Sequence, residues 1–292
     1  MTYSIVARDR RTGAIGVAVQ SHWFSVGALV PWAEAGVGGV ATQANVELSY
    51  GPRALDLLRA GGPPAEVLAD LTAADPQAEF RQVAVVDAGG RVSVHTGSGC
   101  IPYAGHTTGD GFACQANLMA SAQVWPAMAA AFAASDASLP YRLLAALDAG
   151  EAAGGDVRGK QSAAVLVAPG EGEGWERVVD LRVEDHPEPL AELRRLLVLH
   201  DAYLLAGEGD RLVSQGNLAE AADRFISAQA LASDNAELAF WAGLSLVAQG
   251  EVDPGVDYLR GAIAAHAGWG DLLARLDAAS APGVEEARRL LA

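Results

Sequence analysis

The sequence has 292 residues, 51% of them hydrophobic, and a formal net charge of −16. This length and apolar content allow a buried core and about two domains, and they exclude a disordered chain. The negative charge argues against nucleic acid and anionic membranes as partners, because a polyanion would be repelled.

The first half of the chain alternates pairs of β-rich runs with pairs of helices. Strands are predicted at residues 3–8, 14–20 and 37–42, the first two as a hairpin across a turn-forming stretch. Helices follow at about 52–59 and 65–74, separated by Gly and Pro residues that break the chain. A second hairpin is predicted from strands at 81–86 and 91–95.

The same order then repeats. A strand is predicted at 111–116, helices at 124–134 and 139–147, and a third hairpin from strands at 162–167 and 176–182. Residues 83–86 and 163–167 are apolar throughout, so these strands should be covered on both faces. Two stacked sheets with a pair of helices outside each would cover them. The predicted fold class is α+β, and the order of elements permits a four-layer α/β/β/α sandwich over residues 1–187.

From residue 188 onward, after Pro187, nearly every segment has helical periodicity and the sequence repeats itself. Gln215-Gly216 recurs as Gln249-Gly250, a spacing of 34 residues, and flanking residues match at the same shift. This all-α region resembles tetratricopeptide repeats, which are 34-residue helix–turn–helix units. Two repeats are predicted, at 200–233 and 234–267, with closing helices at 269–276 and 283–291. The second domain would thus span residues 188–292.

Cys100 and Cys114 are the only cysteines, too few for the disulfide framework of a secreted protein. We expect two buried thiols, with a cross-link as the alternative if adjacent strands bring them together. No basic segment precedes a long apolar stretch at the start of the chain, and no run approaches ~18 apolar residues. The sequence therefore predicts a cytoplasmic protein without a membrane span.

Thr2 is the most informative candidate for chemistry. Met1 is expected to be removed when residue 2 is small, which would leave Thr2 with a free α-amine beside its own hydroxyl. That amine has an ordinary pKa of about 7.7–8.0 and can accept the hydroxyl proton near neutral pH. One residue would then supply nucleophile and base, and a predicted strand would hold it rigidly. The alternative is that Thr2 is an ordinary second residue.

Short motifs spread over residues 2–185 add to this interpretation. They are residues 2–9 with 16–21, then 25–33, 39–44, 50–53, 100–106 and 154–162. The first motif looks like the threonine, strand, turn and return strand that begin N-terminal-nucleophile (Ntn) hydrolases, proteasome β-subunits included. Together the motifs resemble the bacterial Ntn-like family labelled domain of unknown function 1028. The resemblance implies the α/β/β/α sandwich.

The same resemblance suggests roles for individual residues. Thr2 becomes the candidate nucleophile, Asp156 and Ser162 resemble the residues that orient it, and Asn117 resembles an oxyanion donor. Substrate contacts are expected from Ser21 and His22, which lie where the proteasome has a serine and an arginine. No lysine occurs before Lys160, so the basic lysine of the proteasome has no early counterpart here.

Arg158 and Lys160 lie close to Asp156 in the sequence, so two interpretations of their function are open. They could bind an anionic substrate or lower the pKa of the amine, or they could form ion pairs within a loop. His95 and His106 lack metal-ligand spacing and are expected in loops, so no metal and no cofactor are predicted. The aromatic residues Trp23, Trp32 and Tyr50 could line a pocket or lie in the core.

These observations predict an amidohydrolase that acts on a small amide or a peptide-like substrate through Thr2. The alternative is a non-catalytic scaffold of the same fold, with the repeat domain binding protein or peptidoglycan partners. A peptidoglycan partner would conflict with the missing export signal. A third possibility is that the repeats cap the sandwich or mediate self-association.

Overall fold

The computed structural model describes residues 2–292, which contain ten β-strands and ten α-helices. The chain divides into two compact units, the first ending at Arg195 and the second comprising Leu196–Ala292. Both sheets lie in the first unit, and the second unit is entirely helical. The chain therefore combines an α+β part with a C-terminal helical part.

The larger sheet has six antiparallel strands in the order β10-β9-β2-β1-β8-β7. Its strands are β1 (Thr2–Arg8), β2 (Ile15–Ser21), β7 (Gly105–Gly109), β8 (Phe112–Asn117), β9 (Ser162–Ala168) and β10 (Val179–Val183). The smaller sheet has four antiparallel strands in the order β3-β4-β5-β6. They are β3 (Pro31–Glu34), β4 (Gly38–Ala44), β5 (Arg81–Asp87) and β6 (Val92–Thr96).

Each sheet carries a pair of helices. Helices α1 (Tyr50–Arg59) and α2 (Pro64–Ala73) contact the four-stranded sheet, and α3 (Val124–Ala134) and α4 (Leu139–Ala152) contact the six-stranded sheet. The other faces of the sheets meet in a core that includes Val6, Val17, Ala41 and Ala84. The central strands are thus covered on both faces, as their uniformly apolar sequences require.

The three predicted hairpins are present, since β1 pairs with β2, β5 with β6 and β9 with β10. The predicted helix at 124–134 has those bounds in the structure, and α4 extends past the predicted end at 147 to Ala152. Strands β3 and β7 were not predicted. The first has four residues and begins with a proline, and the second, Gly-His-Thr-Thr-Gly, has no apolar residue. Neither carries the alternation by which strands are recognised.

Six helices complete the chain. They are α5 (Pro189–Ser214), α6 (Leu218–Leu231), α7 (Ala236–Ala248), α8 (Val252–Ala265), α9 (Gly268–Arg275) and α10 (Val284–Leu291). The turns after α5 and α7 are alike, because Gly216 and Gly250 both have positive φ, at 78° and 87°. The amide after each glycine donates to Leu212 and Leu246 respectively, 34 residues apart, at 3.0 Å in both turns. Glycine is favoured at such helix ends because it adopts this conformation without strain.

Candidate active site

A row of four polar side chains crosses the six-stranded sheet at one end of its central strands. From β8 through β1 and β2 to β9, the row consists of Asn117, Thr2, Ser21 and Ser162. Thr2 is directly opposite Asn117 on one side and Ser21 on the other, and Ser21 is opposite Ser162. Residues directly opposite each other on adjacent strands point to the same face. The strand register therefore brings together these four predicted residues, which we call the polar row.

Thr2 begins a central strand and is only 3% exposed. Its Oγ1 donates a hydrogen bond of 3.0 Å to Oγ of Ser21. Pairing on both sides fixes the backbone of Thr2, so the direction of its hydroxyl is set by the sheet. The predicted removal of Met1 lies outside the described residues.

A second set of polar side chains faces the polar row from the four-stranded sheet. Gln43, Gln82 and Thr96 are neighbours across β4, β5 and β6. Gln43 Nε2 donates to Oε1 of Gln82 at 2.8 Å and to the carbonyl oxygen of Thr2 at 3.1 Å. Gln82 Nε2 in turn donates to Oγ1 of Thr96 at 3.0 Å. These bonds tie the two sheets together at the end where Thr2 lies.

Asn117 is held by this network and has one weakly engaged donor. Its Nδ2 donates to Oε1 of Gln82 at 2.9 Å and to the carbonyl oxygen of Thr2 at 3.5 Å. The second contact is at the outer limit of a hydrogen bond. An N–H of the Asn117 amide can therefore turn to a stronger acceptor, such as an oxyanion forming beside Thr2.

Asp156 lies in the loop before β9 and joins that loop to the end of β2. Its carboxylate accepts a hydrogen bond from the backbone N–H of His22 at 3.2 Å. It also pairs with the guanidinium of Arg158, whose Nη2 lies 2.8 Å from Oδ2. An isolated bridge links Asp156 to Met119, two residues after Asn117. Asp156 thus connects the loops that follow β2 and β8.

Ser162, at the β9 end of the polar row, bonds mainly to backbone. Its Oγ donates to the carbonyl oxygen of Trp23 at 2.5 Å and accepts from the N–H of Val26 at 3.1 Å. Both partners belong to the segment that follows Ser21. Ser162 therefore fixes the chain that leaves β2.

Lys160 and His22 occupy the periphery of this site. The Lys160 ammonium lies 2.5 Å from the Glu188 carboxylate, and this hydrogen bond raises the pKa of the lysine. Nδ1 of His22 is buried and lacks a hydrogen-bond partner among residues 2–292. Arg158 and Lys160 are thus both engaged with carboxylates, which favours the ion-pair reading over an anion site.

A cavity of 290 Å³ opens beside Asn117. It is lined by Ala44, Asn45, Phe80, Gly99, Cys100, Ile101 and Asn117. Ala44 at the end of β4 and Leu118 just after β8 have positive φ values of 70° and 55°. Such backbone is uncommon for residues with side chains and costs free energy, and it clusters at functional sites.

Arg81 holds one of the segments that line this cavity. Its Nη1 donates to the carbonyl oxygen of Asn45 at 2.7 Å, and its Nε donates to Asp75 at 2.8 Å. The hydrogen bond from Arg81 lowers the pKa of Asp75 to about 2. The guanidinium charge is therefore balanced by a carboxylate, and Arg81 is not one of the residues that line the cavity.

Sequence reasoning missed Gln43 and Gln82, which position Asn117. Gln43 lies in the motif at residues 39–44, and Gln82 lies in the predicted strand 81–86, but neither was singled out. The available signal was a glutamine at the end of an otherwise apolar strand, as in Arg-Gln-Val-Ala-Val-Val. A buried amide must find hydrogen-bond partners, so such a residue marks a polar network.

The loop positions expected for His95 and His106 are wrong, because these residues lie in strands β6 and β7. Nε2 of His95 lies 2.8 Å from the carbonyl oxygen of Ala78, and Nδ1 of His106 lies 2.9 Å from Oγ1 of Thr96. Burial lowers the pKa of His106. Within residues 2–292, no cluster of three His, Cys, Asp or Glu side chains could hold a metal ion.

The two cysteines and three aromatic residues have the following environments. Cys100 and Cys114 are both buried free thiols. Tyr50 is in the core and donates to Asp75 at 2.9 Å, Trp32 is half-buried, and Trp23 is exposed. In the part of the chain that the structure describes, no helix combines the length and apolarity needed to span a bilayer.

Comparison with known proteins gives a family for the chain. The model of a family of unknown function, DUF1028, matches residues 2–193. A crystal structure of protein SPO2555 from Silicibacter pomeroyi, described as family-model DUF1028, has a TM-score of 0.61 and 34% sequence identity. The match covers 67% of this chain and 87% of that one. No curated protein matches the chain significantly. The predicted membership of this family is thus confirmed, and the chain belongs to the DUF1028 family.

Proposed function

We propose that the protein is an Ntn-type amidohydrolase that uses Thr2, freed by removal of Met1, to cleave a small amide or peptide-like substrate. The observation that carries the proposal is the polar row, with Thr2 buried between Asn117 and Ser21. Two facing sheets with a helical pair on each support a four-layer α/β/β/α sandwich of the Ntn type.

In the proposed reaction, the Thr2 amine accepts the proton of its own hydroxyl, with Ser21 at 3.0 Å able to relay it. Oγ1 then forms a bond to the amide carbonyl carbon, and the Asn117 N–H stabilises the oxyanion. The C–N bond breaks as the ammonium of Thr2 returns the proton to the leaving nitrogen. Water attacks the resulting ester, the amine accepts a proton from that water, and Oγ1 is reprotonated as the acid leaves.

The other predicted site residues act in this proposal by holding the backbone. Asp156 fixes the N–H of His22, directly after Ser21, and Ser162 fixes the segment at Trp23 and Val26. These bonds hold the end of β2 in place. A serine partner for Thr2 is therefore supplied without a nearby lysine.

We propose that the C-terminal helices form tetratricopeptide-like repeats that bind a protein partner or a second copy of the chain. The proposal is supported by the matching turns at Gly216 and Gly250, which end α5 and α7 with the same bonds 34 residues apart. Stacked helical hairpins of this kind present extended binding surfaces.

The test of the hydrolase is a comparison of the wild-type protein with Thr2→Ala and Thr2→Ser over a panel of small amides. All three have a small residue at position 2, so Met1 removal should be equal, and intact mass spectrometry checks it. We expect Thr2→Ala to lose at least about 10³-fold in kcat/KM, because nucleophile loss removes the chemical step. Thr2→Ser should retain activity, since it keeps a hydroxyl beside an amine.

Thr108→Ala is the matched control, because this threonine is exposed on the edge strand β7. It should turn over substrate like the wild type. Equal turnover by wild type and Thr2→Ala, or retention of Met1 in the purified protein, would contradict the hydrolase. Either result would leave the non-catalytic scaffold as the better reading.

A further inference from the structure

Of the residues that line the cavity beside Asn117, only Asn117 itself was predicted as a site residue. Three separate segments build it: the end of β4 at Ala44 and Asn45, Phe80 just before β5, and residues 99–101 after β6. Resting on the proposed function, we infer that this cavity binds the acyl side of the substrate and selects a compact, uncharged, apolar group such as benzyl or isobutyl.

Position supports an acyl site. Asn117 belongs both to the cavity lining and to the polar row, directly opposite Thr2. A carbonyl held between Asn117 and Thr2 therefore has this cavity as its immediate neighbour. The group bonded to that carbonyl carbon would extend into it.

Size limits the group to one small side chain. The cavity volume of 290 Å³ exceeds the ~150 Å³ cavity that suffices for benzene in an engineered protein. It lies just below the range of about 300–1,000 Å³ for ligand pockets. A benzyl or isobutyl group fits such a volume, and a folded peptide segment does not.

Charge excludes ionic groups. None of the seven lining residues carries a charged side chain. Burial raises the pKa of the Cys100 thiol, which keeps it neutral. The guanidinium of Arg81, which donates to the carbonyl oxygen of Asn45, is already paired with Asp75. A charged acyl group would lose its hydration there without gaining a partner.

The walls present apolar surface that a ligand would cover. Phe80 is 41% exposed and Ile101 is 44% exposed, although both are large apolar residues. The Phe80 ring has room only because residue 99 is glycine: a Cβ there would lie 2.6 Å from the ring. Covering these two side chains would add a favourable apolar contact to binding.

The first test measures binding to Thr2→Ala, which cannot turn over its ligands. Calorimetry or NMR titration would compare phenylacetamide, acetamide and succinamate. We expect phenylacetamide to bind at least about tenfold more tightly than acetamide, because pocket contacts of this size discriminate by about 10–200-fold. Succinamate should bind no better than acetamide.

Ile101→Asp in the Thr2→Ala background should remove most of the preference for phenylacetamide, because it brings a charge to the mouth of the cavity. The matched control is Val178→Asp. Val178 is apolar and 42% exposed, and it lies at the end of the six-stranded sheet opposite the polar row. The control should bind phenylacetamide as the parent does. Equal binding of the three ligands, or equal loss in both Asp variants, would overturn the inference.

Turnover by the wild-type protein separates this inference from the hydrolase proposal. Activity that favours charged or very small acyl groups would overturn the acyl subsite and leave the hydrolase standing. Cavity-dependent binding of phenylacetamide without turnover of any amide would support the subsite and count against the hydrolase.

Discussion

Gln82 makes more hydrogen bonds at the candidate site than any predicted residue described above. Its Oε1 accepts from Gln43 and Asn117, and its Nε2 donates to Thr96 and to the carbonyl oxygens of Gly105 and Ala116. The partners lie in four strands, β4, β6, β7 and β8. Asn117 is therefore oriented from the opposite sheet, so in the proposed reaction Gln82 is a positioning residue rather than a catalytic one.

This arrangement predicts different effects for Asn117→Ala and Gln82→Leu. Asn117→Ala should lower kcat by about 10²–10³-fold with little change in KM, as expected for a lost oxyanion donor. Gln82→Leu should lower kcat less. It should also destabilise the fold by about 2 kcal/mol, because the amides of Gln43 and Asn117 lose a buried acceptor. Steady-state kinetics and urea unfolding measure the two effects.

Gln215→Leu is the control for this pair, because Gln215 is exposed in the helical unit. It should change neither kcat nor the free energy of unfolding appreciably. A Gln82→Leu protein with wild-type kcat would show that Asn117 needs no support from the other sheet.

At the scale of single residues, only part of the candidate site could be predicted from the sequence, because the other residues depend on contacts between distant strands. Thr2 and Ser162 lie in the motifs and Asn117 was assigned through the family resemblance, whereas the importance of Gln82 depends on its hydrogen-bond partners. Those partners come from strands far apart in the chain, and no local pattern reports which strands will face each other. The glutamine at the start of β5, Gln82, predicts a buried amide. It does not predict which groups that amide bonds to.

Among the elements, strands with strong apolar character were predicted within a few residues, because short apolar runs bounded by turn-forming residues are typical of buried strands. Strand β7 was missed because it is an edge strand that pairs only with β8. Its Gly, His and Thr residues are exposed or half-buried, so the strand carries no apolar side chains that would identify it in the sequence. Helix α5 begins at Pro189, next to residue 188 where the predicted helical region begins, but before the first predicted repeat, which begins at residue 200.

Two glycines of α5 give a prediction about helix packing. A Cβ at Gly207 would meet no atom within 4 Å, whereas a Cβ at Gly209 would lie 2.9 Å from the buried ring of Phe225. Gly207→Ala should therefore stabilise the protein by about 0.5–1 kcal/mol, because alanine loses less backbone freedom in a helix. Gly209→Ala should destabilise it by about 1–3 kcal/mol through overpacking.

The two variants serve as controls for each other, since they make the same chemical change two residues apart in one helix. Urea unfolding followed by far-UV circular dichroism would measure both. Equal shifts in the two proteins would mean that helix propensity alone decides the outcome and that Phe225 does not pack against α5 as described.

At the scale of the whole molecule, the end of the family match nearly coincides with the boundary between the two compact units. The family model ends at residue 193 and the first compact unit ends at Arg195. The sequence predicted the change at Pro187, where the mixed pattern gives way to a helical one. That position was visible because composition changes there. The internal arrangement of each unit depends on long-range pairing that composition does not encode.

The net charge of −16 leads to a prediction about substrate choice that belongs to the whole molecule. A strongly negative protein repels anionic ligands over distances comparable to the Debye length, which falls from about 30 Å at 0.01 M salt to about 3 Å at 1 M. Raising salt over this range should therefore increase kcat/KM for an anionic amide and leave that for a neutral amide nearly unchanged. The ratio of the neutral to the anionic value should fall as salt rises.

Phenylacetamide and its para-carboxylate derivative make a suitable pair for this measurement, because the reacting amide is the same in both. Long-range repulsion acts on the rate of encounter, so high salt should remove it. Exclusion from the uncharged cavity is a local desolvation cost, so it should persist in high salt. A ratio that falls but stays above one would reflect both effects. A ratio that is independent of salt would show that the overall charge has no part in substrate choice and that the cavity alone discriminates.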